Sequence, residues 1–431
     1  MNIQEIPPLH ETQEATRRAF LVGIRDGETG QAEADSLGAE LAGLASTLGV
    51  EVAGQETVHI RERHAQYGMG TGKAQELAEK AAGANCIIFD RTLSPSQQRN
   101  WERLTGISAV DREELIIQIF ASRATTREAV LQVELASLTY SLPRLSHKYI
   151  NLARQRGGRY GAKGAGETKY ETDRRLVEGR IHRLKQELAE VRKRRATQRK
   201  QRERVPIPAC ALVGYTNAGK SSLLNAMTKA AVFVEDTLFA TLDPTTRRLE
   251  MEGQPILLTD TVGFIRRLPH NLVDAFRATL EEVSRADLLI HVLDASDPDM
   301  DRYFETTLGV LRDLGAEKTP VITVLNKCDR LSTPEALEQV QKRYTDAVCI
   351  SAKERTGLTE LARRIDMLLS GEAVTFHLPP DRHDLAALLH RSGTILSERY
   401  EEGAIVMEAR TGERIRELLK AYIPPIPVPS P

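Results

Sequence analysis

The apolar run Ala209-Cys-Ala-Leu-Val213 leads without a break into Gly214-Tyr-Thr-Asn-Ala-Gly219-Lys220-Ser221 and then into Ser222-Leu-Leu-Asn-Ala-Met227. A β-type run, a tight turn with glycine near both ends and a helix-forming stretch specify a strand-loop-helix unit. An apolar strand of this kind is covered on both faces and needs like neighbours. Pro255 to Thr259, Leu288 to Leu293, Val321 to Leu325 and Val348 to Ile350 supply them, with helical periodicity between. The fold class is therefore α/β, with a parallel-type sheet expected over residues 205–370.

The same alternation occupies residues 1–130. Phe20 to Ile24, Val50 to Ile60 and Cys86 to Asp90 read as strands, Ala34 to Leu48 and Ala74 to Ala82 as helices. Within it, Gly68-Met-Gly70-Thr-Gly72-Lys73 has the look of half a phosphate loop, but no Ser or Thr follows the lysine; a glycine-permitted turn capping a helix is the favoured reading. Residues 131–204 carry two heptad seams: Leu131, Leu135, Leu138, Leu142 and Leu145, then Val177, Ile181, Leu184, Leu188 and Val191. Seams of this spacing bury against each other, which predicts an antiparallel helical hairpin with a kink at Pro143. Residues 371–422 alternate as strand, helix, strand, strand, helix, a small α+β unit, and 423–431 is a proline-rich tail.

Net charge misleads as an average. It is −1, yet Arg144 to Arg204 holds 20 Lys and Arg against 7 Asp and Glu. The hairpin is a polycation on an otherwise acidic chain, the footprint of a polyanion contact or of a solvated helical face. Its tip, Arg156 to Gly166, has five glycines in eleven residues with Arg159, Tyr160 and Lys163. Cations for phosphate, a ring for stacking and glycine for close approach suit RNA, with Arg156, Arg159, Tyr160 and Lys163 as the contacts. A basic linker is the alternative. Composition, 41% hydrophobic and 28% charged, excludes fibrous and wholly disordered classes. No apolar run approaches a spanning helix and Met1 to Glu11 lacks a signal pattern, so a cytoplasmic chain with no integral membrane segment is expected. Cys86, Cys210, Cys328 and Cys349 have no paired spacing and read as core residues.

Four motifs in order carry the chemistry. Gly214, Tyr215, Thr216, Asn217, Ala218, Gly219, Lys220 and Ser221 match the phosphate-binding P-loop: amides cradle phosphates, Lys220 reaches the outer ones and Ser221 ligates Mg²⁺. Asp260-Thr261-Val262-Gly263 ends an apolar strand 40 residues after Lys220, with Asp260 at the metal through water and Gly263 near the γ-phosphate. Asn326-Lys327-Cys328-Asp329 ends another, where an aspartate accepts guanine N1 and N2 donors. Ser351-Ala352-Lys353 ends the last, where an amide reads guanine O6. Together they specify GTP. The segment between, Phe239-Ala240-Thr241-Leu242-Asp243, is expected to line the nucleotide, with Thr241 the candidate switch threonine that completes the Mg²⁺ shell. The residue after Gly263 is Phe264, and a phenyl ring cannot orient water, so unassisted hydrolysis is expected to be slow. Asn217 either holds a K⁺ ion beside the phosphates or is a turn residue. Lys220, Asn217, Thr241 and Gly263 are the candidate catalytic groups.

These motifs, with Leu238 to Thr245, Asp260 to Arg267, Leu131-Gln-Val-Glu-Leu-Ala136 and Gly164 to Arg175, resemble HflX-type GTPases of the Obg-HflX group over most of the chain. The sequence departs from the family pattern at Ala165 and Lys169-Tyr170. The resemblance implies a family-specific amino-terminal domain with a helical arm, binding to the large ribosomal subunit and its RNA, and a part in splitting or rescuing stalled ribosomes under stress. A monomer cycling between GTP and GDP is the expected state. Two other classes stay open: an RNA-remodelling enzyme with a second ATP site at Gly70 to Lys73, and a GTP-switched protein adaptor.

Overall fold

A computed structural model describes residues 17–27, 29–155, 165–202, 207–228, 238–239, 241–251, 255–267, 277–331, 333–371, 373–401 and 403–424. Two compact units divide the chain, one of residues 1–122 and 133–184, the other of residues 123–132 and 185–431.

In the first unit, strands β1 (Arg18–Arg25), β2 (Glu51–His59), β3 (Cys86–Phe89) and β4 (Ser108–Asp111) form an all-parallel sheet in the order β2-β1-β3-β4. Six consecutive residues of β1 are buried, as a central parallel strand requires. Helix Pro95–Thr105 and strand β4 were absent from the sequence reading. The strand is only four residues long, but the helix carried a legible start, because Ser94 and Gln97 form a reciprocal capping box before Pro95. That helix buries Trp101 against Tyr67 and Phe89. Gly70 precedes helix Thr71–Lys80 as its cap, and Gly68 has φ +77°. In this core the Arg112 guanidinium lies between Glu40 and Asp90, all three buried.

Helices Arg127–Gln155 and Ala165–Arg202 form the hairpin. Arg127 meets Glu187 at 3.5 Å and Arg180 clasps Glu134 at 2.7 and 2.8 Å, pairings that run antiparallel. Leu131, Leu138, Leu184 and Leu188 are buried and the rest of both seams half-buried. Pro143, where the sequence predicts a kink, lies inside the first helix. The tip residues Arg156, Arg159, Tyr160 and Lys163 lie outside the described residues.

The second unit holds a six-stranded sheet, β10-β9-β8-β5-β7-β6, built from β5 (Ala209–Val213), β6 (Thr245–Leu249), β7 (Ile256–Asp260), β8 (Leu288–Asp294), β9 (Val321–Asn326) and β10 (Val348–Cys349). All neighbours are parallel except β6, which pairs antiparallel with β7 at the edge. β6 escaped the sequence reading because Thr-Thr-Arg-Arg-Leu buries no residue fully and shows no apolar alternation. A separate antiparallel sheet, β11-β13-β12, is formed by β11 (Ala373–Leu378), β12 (Gly393–Glu401) and β13 (Ala404–Thr411) around Phe376, Leu389, Met407 and Leu419. Cys210 is buried and the other three cysteines half-buried; all four are free thiols. Among the described residues no helix is long and apolar enough to cross a membrane.

Candidate active site

The site lies at the carboxyl ends of β5, β7, β9 and β10, where parallel sheets present their loops. Gly219 has φ +93°, and a Cβ there would come within 2.2 Å of Asn326 Nδ2. Asn217 has φ +61°, the left-handed conformation that asparagine tolerates better than most residues, and it is exposed. Lys220 is buried, and among the described residues its ammonium donates only to backbone, to Gly214 O at 3.1 Å and Tyr215 O at 2.8 Å. Burial draws it down to about 8, opposed by Asp260. An ammonium held by carbonyl dipoles, with no carboxylate bonded to it, keeps its charge for an incoming anion.

Three hard oxygens converge beside it. Ser221 Oγ donates to Asp260 Oδ2 at 2.6 Å, Thr241 Oγ1 donates to the same oxygen at 2.8 Å, and the two hydroxyls are 2.8 Å apart. Asp260 Oδ1 is buried and has no hydrogen-bond partner among the described residues. Burial holds the Asp260 carboxyl above its usual range, against Lys220 and the two hydroxyls. Two hydroxyls and a carboxylate, one of whose oxygens is the orphaned Oδ1, fit a small divalent cation. Gly263 packs so closely that a Cβ would lie 2.5 Å from Thr216 Cα. Phe264 is buried and stitched to the loop: its N–H donates to Gly214 O at 3.0 Å, and its carbonyl accepts from Thr216 N at 2.8 Å.

The Asn326 to Asp329 and Ser351 to Lys353 motifs meet at the other end. Asn326 Nδ2 donates to Ala218 O at 2.9 Å while its Oδ1 accepts the Ala352 N–H at 3.0 Å, so one buried side chain ties two motifs together. Lys327, at φ +62°, donates to Asn217 O at 2.8 Å and pairs with Asp294 at 2.8 Å. Ser351 Oγ donates to Asp329 Oδ1 at 2.5 Å, which orients an exposed carboxylate. Lys353 is exposed. Several residues grouped with the nucleotide in the sequence reading have scaffold positions. The Thr261 hydroxyl donates to Leu212 O, Val262 and Leu242 are buried, the Phe239 N–H donates to Thr216 Oγ1, and Cys328 Sγ donates to Leu325 O. The Asp243 carboxylate is committed to Thr125 and Thr126. Ala240 lies outside the described residues.

The sequence reading also missed what surrounds Tyr215. Its ring stacks on Tyr303 at 3.8 Å, and its hydroxyl accepts the Arg266 N–H at 2.8 Å, linking the loop to the segment after Gly263. Spacing alone gives no signal for either contact.

Family models described as GTP-binding GTPase N-terminal, GTP-binding GTPase Middle Region and 50S ribosome-binding GTPase match residues 35–121, 123–202 and 209–327. A GTPase HflX of Akkermansia muciniphila is 47% identical over 93% of this chain and 95% of its own length. The chain belongs to the HflX family of GTPases. Another HflX, from Escherichia coli, is 42% identical over 86% of this chain and 88% of its own. A GTP-binding protein of Sulfolobus solfataricus, solved with GDP, superposes with a TM-score of 0.43 at 25% identity, covering 82% and 98% of the two chains. As an HflX GTPase the chain binds GTP and hydrolyses it to GDP and phosphate.

Proposed function

We propose that this GTPase works on the large ribosomal subunit, with Mg²⁺ held by Ser221, Thr241 and, through water, Asp260. The observation that carries the metal reading is the convergence of those three side chains with one orphaned carboxylate oxygen. The ribosomal reading is supported by the description of the model matching residues 209–327, as a 50S ribosome-binding GTPase, and by the cationic hairpin. When bound there, Mg²⁺ would supply charge neutralisation to the phosphates. Lys220 supplies positive charge to the outer phosphates, and the loop amides orient them. The Gly263 amide faces the γ-phosphate, Asp329 accepts from guanine and Ser351 holds Asp329 in place. Phe264 contributes no polar group to a water, so turnover waits on an activating contact, which the ribosome provides.

The tip, Arg156, Arg159, Tyr160 and Lys163, contacts ribosomal RNA. The protein acts as a cytoplasmic monomer that helps release stalled ribosomes under stress. The test is co-sedimentation with purified ribosomes across a salt series, comparing the chain with its Arg156→Ala, Arg159→Ala, Lys163→Ala variant. Each lost phosphate contact lowers the slope of log affinity against log salt by about 0.7 to 0.9, so three give a slope change of roughly 2 to 3. GTP affinity stays unchanged while ribosome-stimulated turnover falls. Undiminished binding at every salt concentration rejects the tip as the RNA contact.

We also propose that K⁺ assists hydrolysis through the Asn217 side chain, compensating for Phe264 by offsetting charge that develops between the phosphates. Turnover in K⁺ should exceed turnover in Na⁺, and Asn217→Gly, which keeps the left-handed turn but lacks the amide oxygen, should abolish the difference. Equal rates in the two salts leave Asn217 as a turn residue.

A further inference from the structure

Asp243 stands two residues beyond Thr241, on the segment whose hydroxyl meets Ser221 and Asp260. Its carboxylate accepts four hydrogen bonds from two consecutive threonines 118 and 117 residues away. Oδ2 accepts the Thr125 N–H at 3.2 Å, Thr125 Oγ1 at 2.9 Å and the Thr126 N–H at 3.0 Å; Oδ1 accepts Thr126 Oγ1 at 2.5 Å. Thr126 is the N-cap of helix Arg127–Gln155. Its carbonyl accepts the Val130 N–H at 3.0 Å and its Oγ1 accepts the Ala129 N–H at 3.2 Å. One hydroxyl therefore accepts from the helix and donates to Asp243. A carboxylate at that end also lies with the sense of the helix dipole.

The link between the two ends of this segment is short and stiff. Only Leu242, itself buried, separates Thr241 from Asp243, and Pro244 restricts the backbone of the residue before it to extended conformations. A second tie reaches the same helical turn: Glu128 pairs with Arg195 at 3.3 Å, and Arg195 reaches Glu282 at 4.0 Å on helix Arg277–Ser284.

We propose that Asp243 is a positioning residue for GTP hydrolysis, anchored on the Thr125-Thr126 helix cap and holding Thr241 at Ser221 and Asp260. The inference rests on the role proposed above for Thr241. Ordering of the Thr241 segment and capping of the hairpin's first helix are then one event, so each biases the other to the same extent. The Asp243 carboxylate is engaged by Thr125 and Thr126, and it acts through Thr241.

The test compares Asp243→Ala, the pair Thr125→Val with Thr126→Val, and all three together, with steady-state GTP hydrolysis and GDP affinity as readouts. Loss of one charged, multiply bonded anchor should lower kcat about tenfold while KM moves by less than about threefold, because the loop and base contacts remain. GDP affinity should stay at the wild-type value. The combined variant should lose no more than Asp243→Ala alone, since that change already removes all four bonds, of which the valine pair removes the two hydroxyl ones and leaves the two backbone donations. Thr126→Ser, which keeps both the cap and the donation, should restore most of the rate. Asp243→Asn leaves the cap intact and should fall between wild type and Asp243→Ala. Wild-type kcat in Asp243→Ala, or losses that multiply in the combined variant, overturns the proposal. Thr241→Ala separates the two readings. If Thr241→Ala is slow and Asp243→Ala is not, the anchoring alone is refuted; if Thr241→Ala is itself at wild-type rate, the role of Thr241 falls and the anchoring with it.

Discussion

Two lysines of this chain follow a glycine-rich turn at a helix start, and they have opposite surroundings. Lys220 is buried and bonds only to the carbonyls of Gly214 and Tyr215. Lys73 is half-exposed, and its ammonium meets Glu56 at 2.7 Å and Glu76 at 2.8 Å. The hydrogen bond that Lys73 donates to Glu56 leads the causes that raise Lys73, while its partners are held low, Glu76 at about 2 through Lys73 and Lys80. Glycine and lysine at similar spacing thus make a phosphate receptor in one region and a neutralised surface network in the other. What decides is the group opposite the ammonium: a carbonyl dipole leaves the charge available, and a carboxylate cancels it.

The largest effect that would break this comparison is on nucleotide binding. Lys220→Ala should lower GTP turnover by about 100-fold or more, whereas Lys73→Ala, at a solvated ion pair, should stay within about twofold. Calorimetry with ATP adds the decisive arm: ATP binding that survives Lys220→Ala and disappears in Lys73→Ala would restore a second nucleotide site. Next in size is base choice. On the proposed role of Asp329 in reading guanine, Asp329→Asn exchanges an acceptor for a donor and should weaken GTP by roughly 10- to 100-fold, in favour of xanthosine nucleotides. Unchanged GTP affinity by direct titration would remove Asp329 from the base site.

A third effect concerns the amino-terminal unit's own buried charges. Burial, and then the charge of Asp111, push Glu114 up to about 7, beside Tyr140 and Arg144. Between its ordinary value of 4.5 and 7 the folded unit keeps a proton that the unfolded chain has released. Rising pH through that window therefore favours unfolding, by up to about 3 kcal/mol, and the loss levels off above it. Glu114→Gln should flatten the dependence of Tm on pH between 5 and 8; an unchanged slope would show that Glu114 is ionised throughout. The smallest effect sharpens the contrast directly. Glu56→Gln removes one carboxylate from Lys73 and Lys80 and should cost roughly 0.5 kcal/mol in a denaturant melt, as expected of a solvated pair.

Much of the catalytic region was legible because its chemistry is local. β5 has the span read from the sequence, and Asp260 and Asn326 end β7 and β9, where their motifs required strand ends. The heptad seams announced the hairpin, since a repeated apolar spacing has few ways to be buried. β6 was illegible because an edge strand needs little apolar content, its register coming from hydrogen bonds to β7. The position of Asp243 was illegible for another reason. Its segment resembles that of other GTPases, yet its partners are two threonines more than a hundred residues earlier, which no periodicity or motif connects.

The sequence by itself determined the elements whose causes lie within a few residues: the phosphate loop, the strands that carry it, the motifs at the ends of β9 and β10, and the hairpin. Only the tertiary structure decided which charge faces which. It set Lys220 against carbonyls and Lys73 against carboxylates, and it joined Thr241 to a helix cap through Asp243. The physical reason is range. Backbone preference and apolar periodicity act between neighbours in the chain, while an ion pair or a cap exists only once folding has brought its two halves within about 3 Å.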